Sequence, residues 1–204
     1  MVISAEDLNA VLRSLAQRYS QGAAEVLGGR LSSAALFGSV ARGEAGAGSD
    51  IDLFVVLKEA PAGMLPRRAL LEPVRQRLQG ELEPLWRQGV YADFAEVIRT
   101  EGEARCSHPL HLPLATEAEV LFDRAGFLEA VLAPVRRRLE AGEARLRILG
   151  RVRYWDLRPQ VTARARRERD TGSSRRGRGD VPVLDSAKRG AVLGGMKWTR
   201  CSRY

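Results

Sequence analysis

Residues 37–56 read FGSVARGEAGAGSDIDLFVV, and this stretch constrains the chain more than any other. An apolar run, LSSAALF at 31–37, stops at Gly38. A second, DIDLFVVL at 50–57, starts with two acids two residues apart. Runs of this length bounded by glycine and small residues predict two β-strands joined by a flexible loop. Alternate residues of a strand leave the same face, so Asp50 and Asp52 project together while Ile51 and Leu53 point into a core. Two carboxylates held side by side repel unless a cation lies between them. Hard oxygen ligands at this spacing suit Mg²⁺, which completes its shell with water and substrate phosphates.

The residues that end the first strand complement that pair. A glycine at 38 lets backbone N–H groups approach an anion, and Ser39 adds a hydroxyl. Arg42, one helical turn on, has a fork of donors suited to phosphate. A phosphate cradle and an acid pair about a dozen residues apart predict a nucleoside triphosphate with Mg²⁺. The matching reaction is in-line attack on the α-phosphate with pyrophosphate leaving, with two metals at the attacking and leaving oxygens.

The remaining pattern predicts a helix over 4–28, with Ser4 as N-cap and an apolar stripe of Leu8, Val11, Leu12, Leu15 and Tyr19. A helix over 67–88 is interrupted by Pro73 and Pro84. YADFAEVI (91–98) reads as a third strand, 100–113 as irregular, VLFD (120–123) as a short strand and 126–141 as an arginine-rich helix. RILGRVRYWDLRP reads as an apolar and aromatic segment docking on the body. This divides the chain into a core over 1–125, a C-terminal helix and docking segment over 126–158, and a basic tail over 159–204. The tail is rich in arginine, glycine and serine without apolar periodicity, which predicts disorder.

Charge sharpens the division. The net charge is +8, yet residues 1–158 hold 21 basic and 21 acidic side chains, and 159–204 hold 12 and 4. The body is balanced, so contact with nucleic acid is expected only through the tail. No apolar run approaches the roughly 18 residues that span a bilayer. The first residues lack the order of a signal peptide, and two cysteines make no disulfide framework, so a cytoplasmic setting without membrane contact is expected.

GSVARG and SDIDL resemble, position by position, the G-S-x-x-R-G…S-D-x-D signature of minimal nucleotidyltransferases in the DNA polymerase beta superfamily. The strong resemblance covers about residues 31–57, and a weaker likeness in element order extends to about residue 98. It implies an α/β (α+β) fold with a small mixed sheet and helices packed on one side. It implies a nucleotide held by Gly38, Ser39, Arg42 and Ser49, with Asp50 and Asp52 holding Mg²⁺. The family adds a third acid on a later strand, serving metal binding and catalysis. Asp93 and Glu96 are the candidates here; on an ideal strand they lie on opposite faces, and Asp93, between apolar neighbours, is preferred. The acceptor hydroxyl could belong to a protein side chain, a small molecule such as an aminoglycoside or a nucleic acid end, with ATP as donor; the small size suits a protein acceptor, and small members of the family often act as antitoxins that modify a helical partner toxin. The segment ending in YWDLRP is similar to the C-terminal part of one bacterial and archaeal subgroup, whose chains usually end soon afterwards.

Other features are weaker. Cys106, His108 and His111 form a C-x-H-x-x-H string, but a structural zinc takes four ligands and no fourth is near. Arg136, Arg137 and Arg138 fit a solvated helix side with Glu140 and Glu143 as partners. Tyr154 and Trp155 fit core or interface better than base stacking. The alternative to an enzyme is a nucleotide- or partner-binding module with weak catalysis on the same fold, and the third acid discriminates between them.

Overall fold

The computed structural model describes residues 3–150 and 152–157. The chain divides into two compact units after Arg136. The basic tail and its expected disorder lie outside the described residues.

In the first unit, helix α1 (Ala5–Leu27) opens with the Ser4 side chain accepting from the Asp7 N–H. Strands β1 (Leu31–Phe37) and β2 (Ile51–Leu57) follow, joined by the single turn α2 (Gly38–Ala41) and a loop. Next come α3 (Met64–Ala69), α4 (Glu72–Arg87), β3 (Phe94–Thr100), α5 (Glu101–Arg105), α6 (His111–Glu117), β4 (Glu119–Asp123) and α7 (Phe127–Glu140). The sheet order is β3-β2-β1-β4, with β1 antiparallel to both its neighbours and β2 parallel to β3. It is therefore a small mixed sheet, as the resemblance implies.

The two central strands are apolar almost throughout because both their faces are covered. On one face, Leu36, Leu53, Val55 and Leu57 pack with Leu12, Leu15 and Tyr19 of α1 and Val74, Leu78 and Leu82 of α4. On the other, Ala35, Phe54 and Val56 pack with Ala104, Leu114, Leu128 and Leu132, from α5, α6 and α7. Helices thus cover both faces, which corrects the expectation of one. The source of the difference is 100–113, read as irregular. Thr100 starts α5 with a capping box, accepting from the Glu103 N–H while the Glu103 carboxylate accepts from the Thr100 N–H. Such reciprocal capping makes even five residues helical when an apolar partner is available.

Two other boundaries move. The helix expected over 67–88 begins earlier and breaks at Leu70–Leu71, and Pro73 falls in the first turn of α4, where its missing N–H has no helical role. The third strand begins at Phe94, leaving Tyr91–Asp93 as its lead-in.

In the second unit, β5 (Arg145–Leu149) and β6 (Val152–Asp156) form an antiparallel hairpin where a docking segment was expected. Gly150, at φ 61°, supplies the tight connection. Tyr154 is exposed, and Arg138 donates to the Glu143 carboxylate at 2.7 Å.

Candidate active site

The register of β1 and β2 pairs Phe37 with Asp52, so Asp52 stands beside the residue at which β1 turns into α2. That residue is Gly38, at φ +77°. A Cβ there would fall 2.1 Å from Asp52 Oδ2 and 3.0 Å from its Cγ. Glycine is thus required twice, for its backbone conformation and because the carboxylate occupies the space of a side chain. Asp52 is half-buried and Asp50, just before the strand, is exposed. Burial, then the neighbouring Asp50 carboxylate, push the Asp52 carboxyl up from its ordinary value; nearby Arg42 opposes them. A half-buried acid beside a like charge is poised to accept a cation.

The turn itself is held from outside. Arg13 of α1 donates from Nε to the Val40 carbonyl at 3.3 Å and from Nη2 to the Ala41 carbonyl, and its Nη1 lies 3.2 Å from Glu119. These contacts satisfy the C-terminal carbonyls of α2. The N–H groups that open the turn have no partner further back in the helix, the arrangement that favours anions at helix starts. Arg42 donates to Glu44 at 2.8 Å and Glu117 at 2.9 Å, so the predicted phosphate ligand is ion-paired here. Ser49, also placed with the nucleotide by the resemblance, braces the loop: its hydroxyl accepts from the Gly46 N–H at 2.9 Å.

Asp93 reaches the same end of the sheet. Its N–H donates to Asp50 Oδ1 at 3.2 Å, and its carbonyl accepts from the Ile51 N–H at 2.8 Å. The Trp86 indole donating to the Ala92 carbonyl and the Tyr91 N–H donating to the Ala47 carbonyl fix this approach. The Asp93 carboxylate itself is engaged by Arg75 Nη2, at 2.9 Å and 2.8 Å from its two oxygens. Glu96 goes elsewhere. It pairs with Leu53, on the face opposite Asp52, and its side chain is 1% exposed. There it accepts from Tyr19 at 2.9 Å and from Arg75 Nη1 at 2.7 Å. Of the two candidates for the third acid, Asp93 alone lies beside the pair. Among the described residues, no three His, Cys, Asp or Glu side chains converge to hold a metal ion, the C-x-H-x-x-H string included. His111 of that string is buried with its ring near-perpendicular to that of Phe54, and burial holds its pKa down at about 4.

The sequence reading missed Arg13, Arg75 and Glu117. Each acts across 18 residues of chain or more, and no local pattern marks such pairs. A groove lined by Ser32, Lys58, Glu101 and Arg105 lies at the other end of β1 and β2 and contains none of these residues.

Residues 21–113 match the nucleotidyltransferase domain family, a span that contains Gly38, both paired acids and Asp93. The match spans a little under half of the chain, and this likeness supports a transferase. A Methanocaldococcus jannaschii protein provisionally named as a protein adenylyltransferase (MJ1305) is 27% identical over 126 residues, 62% of this chain and 82% of that protein. Among solved structures, a toxin–antitoxin complex with AMP-PNP overlaps at a TM-score of 0.39, with 18% identity over 61% of this chain and 91% of that one. A complex of a tri-AMPylated Shewanella oneidensis HEPN toxin with MNT antitoxin overlaps at 0.38, with 16% identity over 65% and 92%. No helix among the described residues is long and apolar enough to cross a membrane.

Proposed function

We propose that this enzyme transfers a nucleoside monophosphate from a nucleoside triphosphate, ATP by preference, to a hydroxyl group on a partner protein. The observation that carries the reading is the Asp52 carboxylate seated against the Gly38 turn with Asp50 beside it. In the reaction, the acceptor oxygen bonds to the α-phosphorus as the bond from that phosphorus to the α,β-bridging oxygen breaks. Pyrophosphate leaves with the electron pair of that bond. The acceptor's proton passes to a base, a role assigned here to Asp93.

The donor set fits a divalent cation. Two carboxylates share one end of a strand, one is kept from easy ionisation by its burial and then by the other, and the cradle at Gly38 has no room for a side chain. Mg²⁺ held by Asp50, Asp52 and Asp93 would supply charge neutralisation for the triphosphate and the leaving pyrophosphate. The chain's own part is positional. Gly38 and Ser39 present the turn to the triphosphate, Arg13 fixes that turn from behind, and Arg42 supplies positive charge near Asp52.

ATP as donor and protein as acceptor are supported by the name of the archaeal relative and by the motif resemblance, which also makes a helical toxin the kind of acceptor to try first. The balanced charge of residues 1–158 disfavours a long nucleic acid in the cleft, and leaves the tail as the place where one could bind. The test is incubation with labelled ATP, Mg²⁺ and candidate acceptors, comparing wild type with Asp50→Asn plus Asp52→Asn. Equal transfer of label by the two proteins refutes the enzyme reading. The ion pair between Arg75 and Asp93 favours a second reading, a binding module with weak catalysis, and the same assay would expose it as nucleotide binding without transfer.

A further inference from the structure

Arg75 of α4 joins two acids, Glu96 on β3 and Asp93 just before that strand. Its Nη1 is anchored: it donates to the Phe94 carbonyl at 2.8 Å and to Glu96 Oε1 at 2.7 Å. Glu96 is in turn held by the Tyr19 hydroxyl and stands 3.3 Å from Arg68 Nε. The other terminal nitrogen, Nη2, spans both oxygens of Asp93. The two ends differ in burial. Glu96 is 1% exposed and Asp93 is 53% exposed. The inner bonds sit where a lone carboxylate would be strongly disfavoured, while the outer pair is half in water and weak.

We infer that Arg75 is a latch on the third acid: it holds the Asp93 carboxylate away from Asp50 and Asp52, and divalent metal must displace it to complete the site. The inference rests on the reading of Asp93 as a metal ligand. Release gives up the two Nη2 bonds and the bond that Asp93 Oδ1 accepts from the Phe94 N–H at 2.7 Å, and leaves the inner bonds in place. When Asp93 leaves, the guanidinium keeps Glu96 and the Phe94 carbonyl, so no buried charge is stranded. The Asp93 N–H donates to Asp50 Oδ1 at 3.2 Å, so the residue already stands beside the pair. Arg75 is on this account a positioning residue, touching neither nucleotide nor acceptor.

Mn²⁺ binding by the full-length protein, followed by electron paramagnetic resonance without nucleotide, reads the latch independently of turnover. The variant is Arg75→Gln with Glu96→Gln, which removes the latch without leaving Glu96 charged and unpaired in the core. Expected is tighter Mn²⁺ binding by about two- to fivefold, the size of a half-exposed ion pair. Arg75→Lys, which can still meet Glu96 but cannot span both Asp93 oxygens, should tighten it less. The gain must vanish when Asp93→Asn is added, because removal of a repulsive charge would act without Asp93 and a latch cannot. Unchanged affinity, or a gain that survives Asp93→Asn, overturns the latch. If Asp93→Asn alone weakens Mn²⁺ binding in those cases, the ligand reading of Asp93 stands. If Asp93→Asn alone changes nothing, that reading falls and the latch with it.

Discussion

Gly38→Ala is the sharpest test of the site. Two effects act at this position. The first is backbone strain: at φ +77° a residue with a Cβ is destabilised by about 1–2 kcal/mol. For a chain of this size that corresponds to a melting temperature lower by roughly 2–8 °C. The second is steric: the new Cβ would fall 2.1 Å from Asp52 Oδ2, far inside contact distance. The backbone of two paired strands cannot yield readily, so the short Asp52 side chain must rotate away. A displacement of about 1 Å at a reacting centre lowers rate by about a hundredfold. The expected result is a modest loss of stability with label transfer down by two orders of magnitude. Gly43→Ala is the matched control. Its φ is also +77°, yet nothing lies within 4 Å of the added Cβ. It should lose similar stability and keep near-normal transfer. Paired thermal melts and single-turnover label transfer separate the effects. Gly38→Ala with activity within threefold of wild type, or Gly43→Ala equally inactive, would refute the reasoning.

Three further outcomes follow from the same geometry. The Asp52 carboxyl is raised, so it is held less readily as an anion in the folded chain than in the unfolded one; its ionisation lowers stability as pH rises from the ordinary carboxylate value through the raised one. Asp52→Asn should therefore raise the melting temperature at neutral pH without divalent metal while abolishing transfer, and Mg²⁺ should stabilise wild type but not the variant. Arg13→Met removes the donors to Val40 and Ala41, and should lower stability by about 1–3 kcal/mol and transfer with it; unaltered transfer would show that the turn needs no outside support. His111, buried with a pKa of about 4, stays neutral in the fold while the unfolded chain takes a proton below about 6.5. Stability should fall by on the order of 3 kcal/mol between pH 6.5 and 4 from this residue, and melts of His111→Phe across that range should show a flatter decline.

Some of this was legible without coordinates because it is local in the chain. Gly38, Ser39, Asp50 and Asp52 lie within 15 residues, at the adjoining ends of two strands whose apolar runs and bounding small residues announce them. The two-residue period of a strand alone puts both acids on one face. Helices α1, α4 and α7 were visible for a similar reason, an apolar stripe at helical spacing. The hairpin of β5 and β6 had one local signal, Gly150 just after the first strand.

What no window of sequence contains is which distant side chain meets which. Arg75 could have served any of several acids, and Glu96 and Asp93 read as rivals for one role. Packing of α4 against the sheet gives Arg75 to both and sends Glu96 into the core beside Tyr19, 77 residues away. The short helices α5 and α6 likewise exist because an uncovered sheet face offered Ala104 and Leu114 somewhere to bury. Motif chemistry follows the backbone's periodicity and is written along the chain. Partner choice follows the close packing of elements remote in sequence, and it arises only when they meet.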